Sequence, residues 1–366
     1  YLSSINRALF SKIGRPRPIR KTRSRFTGIS SHQFFSSEVI AMKITVGTFN
    51  LNNLFSRYNF KGEIKAIKTG DTTVAATLDY TFGPQDDFKI RKYRGKLVKA
   101  KDDKKTGKVV DRILAMNVDV LAVQEVEDID TLKAFNRENL NKLYRYVTLI
   151  EGNDDRLIDV GLLSRYPIGA ATSWRHAVQK DSPERPIFGR DLLEVQILSL
   201  DRKKILFTLF NNHLKSHFCD YREDKAACAK KNNKRRKRQS EMIAQIVRKQ
   251  TRPTSRFIIL GDMNDPPDSP HLTPFTADAE LNLTNALANA RETSPPTVPS
   301  NIPAPPHTNW THRYKETGQP AEYELYDHIW VSNALSARIT GAWIHRRKNL
   351  TGDGSDHDPA WIELQL

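Results

Sequence analysis

At 366 residues, the chain is long enough for one large domain or two ordinary ones. Its 38% hydrophobic content, with five Trp and sixteen Phe, describes a folded protein and excludes a disordered one. No apolar run approaches the ~18 residues that a membrane-spanning helix needs, and 58 Lys and Arg against 42 Asp and Glu, a net charge of +16, direct attention to polyanions.

Residues 1–41 hold eight basic residues, one acid (Glu38) and many serines. Such a leader is expected to be disordered and reads in two ways: as a transit-like basic arm, or as translated sequence upstream of a true start at Met42. The second is preferred, because "MKITVGTFN" opens directly into a strand pattern. The protein would then be cytoplasmic, whereas a transit peptide would make it organellar. No secretory apolar segment is visible. Without the leader the balance is 50 basic residues against 41 acidic ones, +9, still basic.

From Met42 onward, strand patterns are expected at 43–50, 118–126, 145–152, 159–164, 192–200, 204–213, 256–262, 325–332 and 359–366. They are rich in β-branched and aromatic residues and are bounded by Gly, Asn, Asp or Pro. Helices are expected at 109–117, 129–141 and 234–249, the last with Met242, Ile243, Ile246 and Val247 on one stripe. Residues 59–108 are polar, Lys-rich and weakly periodic, and read as an insertion. Residues 293–307 are proline-rich and read as an extended surface loop. Cys219 and Cys228 fit no zinc pattern, and their spacing is compatible with a small disulfide loop or with two free thiols. The whole of 42–366 reads as one body of packed sheets covered outside by helices.

Five segments end or flank strands with polar groups: "TFNLNNL" (48–54), "VQEVED" (123–128), "NNHLKS" (211–216), "GDMND" (261–265) and "SDHDP" (355–359). Each alone reads equally well as a cap or turn. Five at strand ends in one chain indicate a site built on a rigid rim. Glu125, at the end of a buried strand, suits a hard cation that wants oxygen ligands. Asp262 and Asn264, two apart, face one way in extended backbone. His213 and His357 supply imidazoles, with Lys215 near the first and Asp356 and Asp358 flanking the second. Asp327 in "YDHIW" is a carboxylate of the kind that fixes a histidine tautomer.

In this order, the five segments resemble the endonuclease/exonuclease/phosphatase superfamily over about Met42 to Leu366. The resemblance implies an α/β fold, a four-layer α/β/β/α sandwich of two packed mixed sheets flanked by helices, and hydrolysis of phosphate esters assisted by Mg²⁺ or Mn²⁺. It implies a metal held by Asn50, Glu125 and Asp356. Asp262 and Asn264 would orient water and contact phosphate, while His357, supported by Asp327, would activate water or polarise the phosphate. His213 resembles the histidine of the deoxyribonuclease and sphingomyelinase branches that protonates the leaving oxygen. Arg165 and Arg190 sit at recurrent positions, and with Lys215, Arg235 and Arg236 are expected to bind substrate. "NHLKS" followed by Arg236 and Gln239 at RxxQ spacing is similar to the bacterial secreted-nuclease branch.

The favoured function is a nuclease acting on DNA or RNA, because the basic run "KKNNKRRKR" (230–238) follows the His213 segment. The alternative is a phosphatase or phospholipase-type enzyme acting on a small phosphorylated molecule or a lipid headgroup, although no apolar docking hairpin is evident. A catalytically dead binding module is disfavoured, since all the main positions are filled. Nucleic acid is the expected partner, with no stable membrane association and a monomeric state.

Overall fold

The computed structural model describes residues 42–55, 61–64, 78–81 and 101–366, apart from 155, 221, 295–302 and 351. The leader 1–41, most of 59–100 and most of the proline-rich loop lie outside the described residues.

Two mixed sheets form the body. In spatial order, the first holds Arg291–Thr293, Ile339–His345, Ala360–Gln365, Lys43–Leu54, Val120–Val126, Asp159–Ser164 and Tyr146–Leu149. The second holds Thr284–Asn285, Asp327–Val331, Phe257–Asp262, Ile205–His213, Leu192–Leu198 and Ile168–Ser173. Each has a parallel pair near its middle, Lys43–Leu54 with Val120–Val126 and Ile205–His213 with Phe257–Asp262. Antiparallel neighbours flank both pairs.

Side-chain alternation along these strands sorts the layers. Ile44, Val46, Val120 and Ala122 of the first sheet meet Phe207, Leu209, Ile258, Leu260, Ile329 and Val331 of the second in one central core. The alternate positions Phe49, Leu51, Leu121 and Val123 face outward against helices α1 (Asp103–Met116) and α2 (Ile129–Glu138). Phe210, Phe257, Ile259 and Trp330 face the other way, against α3 (Lys225–Gln250) and the short helix Thr273–Thr276. The result is the four-layer α/β/β/α sandwich. Each aliphatic side chain taken from water into these layers contributes about 1.5–3 kcal/mol.

The same alternation, carried to the strand ends, places polar residues between the sheets. Asn50 continues the inward row of Ile44 and Val46, and Asp262 continues that of Ile258 and Leu260. His213 continues Phe207 and Leu209, and Asp327 begins the row of Ile329 and Val331. Gln124 and Asn211 form a polar layer beneath them, Gln124 Nε2 donating to Asn211 Oδ1 at 2.8 Å.

Two helices begin earlier than the apolar stripes indicate. α1 starts at Asp103, so residues 103–108 belong to it and not to the insertion; Asp102 caps it by accepting from Lys104 N and Lys105 N. α3 starts at Lys225, nine residues ahead of the expected 234, with Asp224 accepting from Ala227 N. Both early turns are polar because they bury little, and capping replaces packing as their start signal. Cys219 and Cys228 are joined as a disulfide at the head of α3. Among the described residues no helix is long and apolar enough to cross a membrane.

Candidate active site

The polar ends converge on one carboxylate oxygen. Asp262 Oδ2 accepts from Asn50 Nδ2 at 2.9 Å and lies 3.4 Å from His213 Nε2 and 3.7 Å from His357 Nε2. Its Oδ1 accepts from the Asn264 backbone N at 2.9 Å, and Asn264 Nδ2 donates to Leu214 O at 3.1 Å. Gly261, with φ +126°, fits here only because it lacks a Cβ, which would stand 2.0 Å from Asn212 O. Burial raises the pKa of Asp262, although His357 and the amide donors pull the other way.

His357 arrives from the loop before the last strand. Its Nδ1 meets Asp327 Oδ2 at 2.7 Å, so Nε2 is the nitrogen left to face Asp262. Burial opposes charge on this ring, but the carboxylates of Asp327 and Asp262 outweigh burial and push its pKa up to about 10. His213 is the opposite case. Burial first, then the positive Arg190, hold it well below its ordinary value, so it is a neutral imidazole.

Glu125 owes its position to a defect in the sheet. Both ladders skip it, pairing Gln124 and Val126 with neighbours on either side, and its φ is +59°. A bulge of this kind re-aims a side chain at a sheet edge, at a cost of about 1–3 kcal/mol for the left-handed residue. The Glu125 carboxylate accepts from Asn53 N at 3.0 Å and stands 4.0 Å from His213 Nε2. Burial and the nearby Asp356 raise its pKa. Asp356, about half exposed, accepts from Asn52 Nδ2 at 2.6 Å. Two carboxylates that disfavour each other's charge beside the amide of Asn50 form an oxygen-rich set suited to a hard divalent cation.

Asp358 takes no part in holding that cation. It is fully buried and binds three guanidiniums: Arg112 at 2.5 Å, Arg347 at 2.9 Å and Arg346 at 3.2 Å. Arg112 also donates to His357 O at 2.9 Å, so this cluster fixes the backbone that carries the histidine.

The expected substrate-binding residues divide. Arg190 is buried under the rim, paired with Asp154 at 3.1 Å and donating to Leu214 O at 3.0 Å. Lys215 lies two residues after His213; burial and the cations Arg190, Arg156, Arg235 and Arg236 bring its pKa down to about 8. Exposed Arg235 lies against Gly189. Arg236 is corrected from substrate binder to positioning residue: it is fully buried, pairs with Asp265 at 3.0 Å and donates to Lys215 O at 2.8 Å. Gln239 completes that clamp, accepting from Lys215 N at 2.9 Å. Arg165 is corrected outright. It follows Ser164, which pairs with Val120 at the far end of the strand that carries Glu125, about 17 Å away at strand rise. There it binds Asn117 and Asp119 and stacks over Tyr144.

Three rim residues had no part in the expectation. Lys101 donates to Asn52 O at 2.6 Å and lies close enough to feel the charges of Asp356 and Glu125. His217 pairs with Asp265 at 3.0 Å and stacks on Tyr326. His312 stacks on the other side of Tyr326, at 5.0 Å, and reaches the ring of His357 at 4.8 Å. The signal available for His312 was the hairpin pattern around Gly318, which forms as His312–Lys315 against Ala321–Glu324.

The family model for endonuclease/exonuclease/phosphatase proteins matches residues 47–357. Among solved structures, a family protein from Bacteroides vulgatus is similar at 15% identity over 89% of this chain and 99% of that one, TM-score 0.54. An AP endonuclease from Archaeoglobus fulgidus is similar at 14% identity over 88% and 100%, TM-score 0.53. TDP2 of D. rerio, complexed with a single-strand DNA product, is similar at 13% identity over 88% and 99%, TM-score 0.50. At these identities the structures speak to the fold. No curated protein sequence matches the chain. With the family model spanning both sheet centres and every converging residue from Asn50 to His357, the chain belongs to the endonuclease/exonuclease/phosphatase family, whose members hydrolyse phosphate esters and are generally divalent-metal dependent.

Proposed function

We propose that the protein is a nuclease, hydrolysing phosphodiester bonds of DNA or RNA with Mg²⁺ or Mn²⁺. The observation that carries this reading is the cationic shelf beside Asp262. Lys215 and Arg235 lie together there above the buried Arg190, and the head of α3 extends it with the exposed Lys230, Lys231 and Lys234. A single phosphate monoester needs one such cradle, whereas a continuing row of cations suits a phosphate chain.

In this reading a divalent cation on Asn50, Glu125 and Asp356 would supply charge neutralisation at the phosphate. The chain's own groups do the rest. Asp262, a carboxylate whose pKa burial has raised, orients the attacking water and accepts its proton. His357, an imidazolium held by Asp327, donates to a non-bridging phosphate oxygen where charge develops. Asn264 fixes the backbone around Asp262, and neutral His213 directs an N–H into the site. Attack breaks one P–O bond, giving a phosphomonoester and an alcohol that takes up its proton from solvent.

The test uses the protein with Mg²⁺, Mn²⁺ or EDTA on supercoiled plasmid, single-stranded RNA and phosphate monoesters, with His357→Ala in parallel. Metal-dependent loss of plasmid or RNA, abolished in His357→Ala, is expected. Intact nucleic acid with release of inorganic phosphate from a monoester would overturn the nuclease reading in favour of a phosphatase.

A further inference from the structure

A second group of donors stands beside the oxygen set and differs from it in chemistry. His312 opens the hairpin strand His312–Lys315, and its backbone bridges to that of His357. Tyr326 holds its ring from one side, nearly parallel at 14°. On the other side its Nε2 is 3.9 Å from Asp356 Oδ2, the oxygen not taken by Asn52. His357 turns Nε2 toward the site, because Nδ1 is on Asp327, and zinc would displace the proton carried there. One donor atom from each of His312, Asp356 and His357 lies within 4.8 Å of the others. Donors around a tetrahedral zinc stand about 3.3 Å apart, so small side-chain rotations close the gap.

Two imidazoles and one carboxylate do not suit magnesium, which takes oxygen and keeps its waters. They suit zinc and similar borderline cations, with a fourth position left to water. We propose that His312, Asp356 and His357 form an inhibitory zinc-class site. Filling it takes Asp356 from the oxygen set and His357 Nε2 from the phosphate. The binding half of this proposal is independent of the ester cleaved, and the inhibitory half rests on the active-site reading above.

Isothermal titration of ZnCl₂ and of MgCl₂ into the metal-free full chain tests it. Zinc should bind with affinity reduced tenfold or more in His312→Gln and in Asp356→Asn, and unchanged in His307→Gln, an exposed histidine elsewhere. Magnesium binding should weaken in Glu125→Gln and not in His312→Gln. Cobalt added to the metal-free protein should gain visible absorption that His312→Gln diminishes, and near-ultraviolet circular dichroism reports whether each variant is folded. On whichever phosphodiester the enzyme turns over, zinc added to the magnesium-supported reaction should inhibit, with half-inhibition requiring at least tenfold more zinc in His312→Gln. Equal zinc affinity in folded His312→Gln and wild type overturns the site. Zinc bound through His312 without loss of turnover overturns the inhibitory role. Failure on nucleic acid alone leaves the isotherms to decide the site and sinks only the nuclease reading.

Discussion

In the proposed mechanism Asp262 and His357 carry the chemistry because their surroundings push them in useful directions. A carboxylate between two sheets resists ionisation, while an imidazole against Asp327 resists losing its proton. Asp327 therefore acts through His357, and its substitution has a signature that simple misfolding lacks. Asp327→Asn removes the largest charge favouring imidazolium, so the His357 pKa falls from about 10 toward the ordinary value of roughly 6.5. Below its pKa the ring keeps the proton that holds the phosphate, so the alkaline limb of kcat should move to lower pH. The rate at neutral pH should drop by about 10²–10⁴. Steady-state kinetics from pH 5 to 10 would check this, and an unshifted alkaline limb in an otherwise slowed enzyme would show that His357 does not set it. Asp358, next to His357 in sequence, has a different task, since three buried guanidiniums depend on it and one of them, Arg112, holds the backbone that carries His357.

At the scale of elements, strand alternation was readable and edges were not. "KITVGTFN" and "RFIILGD" announce their buried rows, and those rows, extended by two residues, reach Asn50 and Asp262. The strand Ile168–Ser173 carries no such signal, because Gly169, Ala170, Ala171 and Thr172 are exposed on a sheet edge and show no apolar alternation. Ile339–His345, which no expected strand covers, pairs with the last strand. His312 depended on a hairpin whose residues have no core to point at. The RxxQ spacing on α3 was visible, but not its use, since only the fold shows both side chains gripping the Lys215 backbone. That grip makes Gln239 a positioning residue. Its amide also donates to Ile187 O at 3.1 Å, so Gln239→Ala leaves buried backbone groups unpaired on both sides, a cost of about 1–3 kcal/mol. The expected outcome is a lower denaturation midpoint and a KM raised several-fold, with a smaller change in kcat, because in the proposed function Lys215 holds substrate and takes no proton from it. A fall in kcat at unchanged KM would place the loop in the chemistry instead.

Across the whole molecule, the site lies where two hydrophobic sheet faces stop being hydrophobic. Each sheet brings a parallel pair near its middle to the rim, so both strands of a pair end on the same side, and antiparallel neighbours return His357 and Asp327 to it. Beside this rim, α3 begins with about three turns of exposed cations before its apolar stripe docks on the second sheet. A helix start so rich in Lys and Arg gains nothing by burial, and its charges stay in water where a polyanion can reach them. Each phosphate neutralised releases condensed counterions, which makes affinity fall with salt by about 0.7–0.9 in log–log slope per contact. Substituting Lys230, Lys231 and Lys234 together by Ala should therefore reduce the salt slope of KM for long nucleic acid by about 2 to 3. The helix should survive, because all three positions are exposed and Ala is the better helix former. The measurement is KM against salt concentration for wild type and triple variant on the same polymer. A slope that does not change would mean that substrate leaves the rim without following α3, and that the phosphate row ends at Lys215 and Arg235.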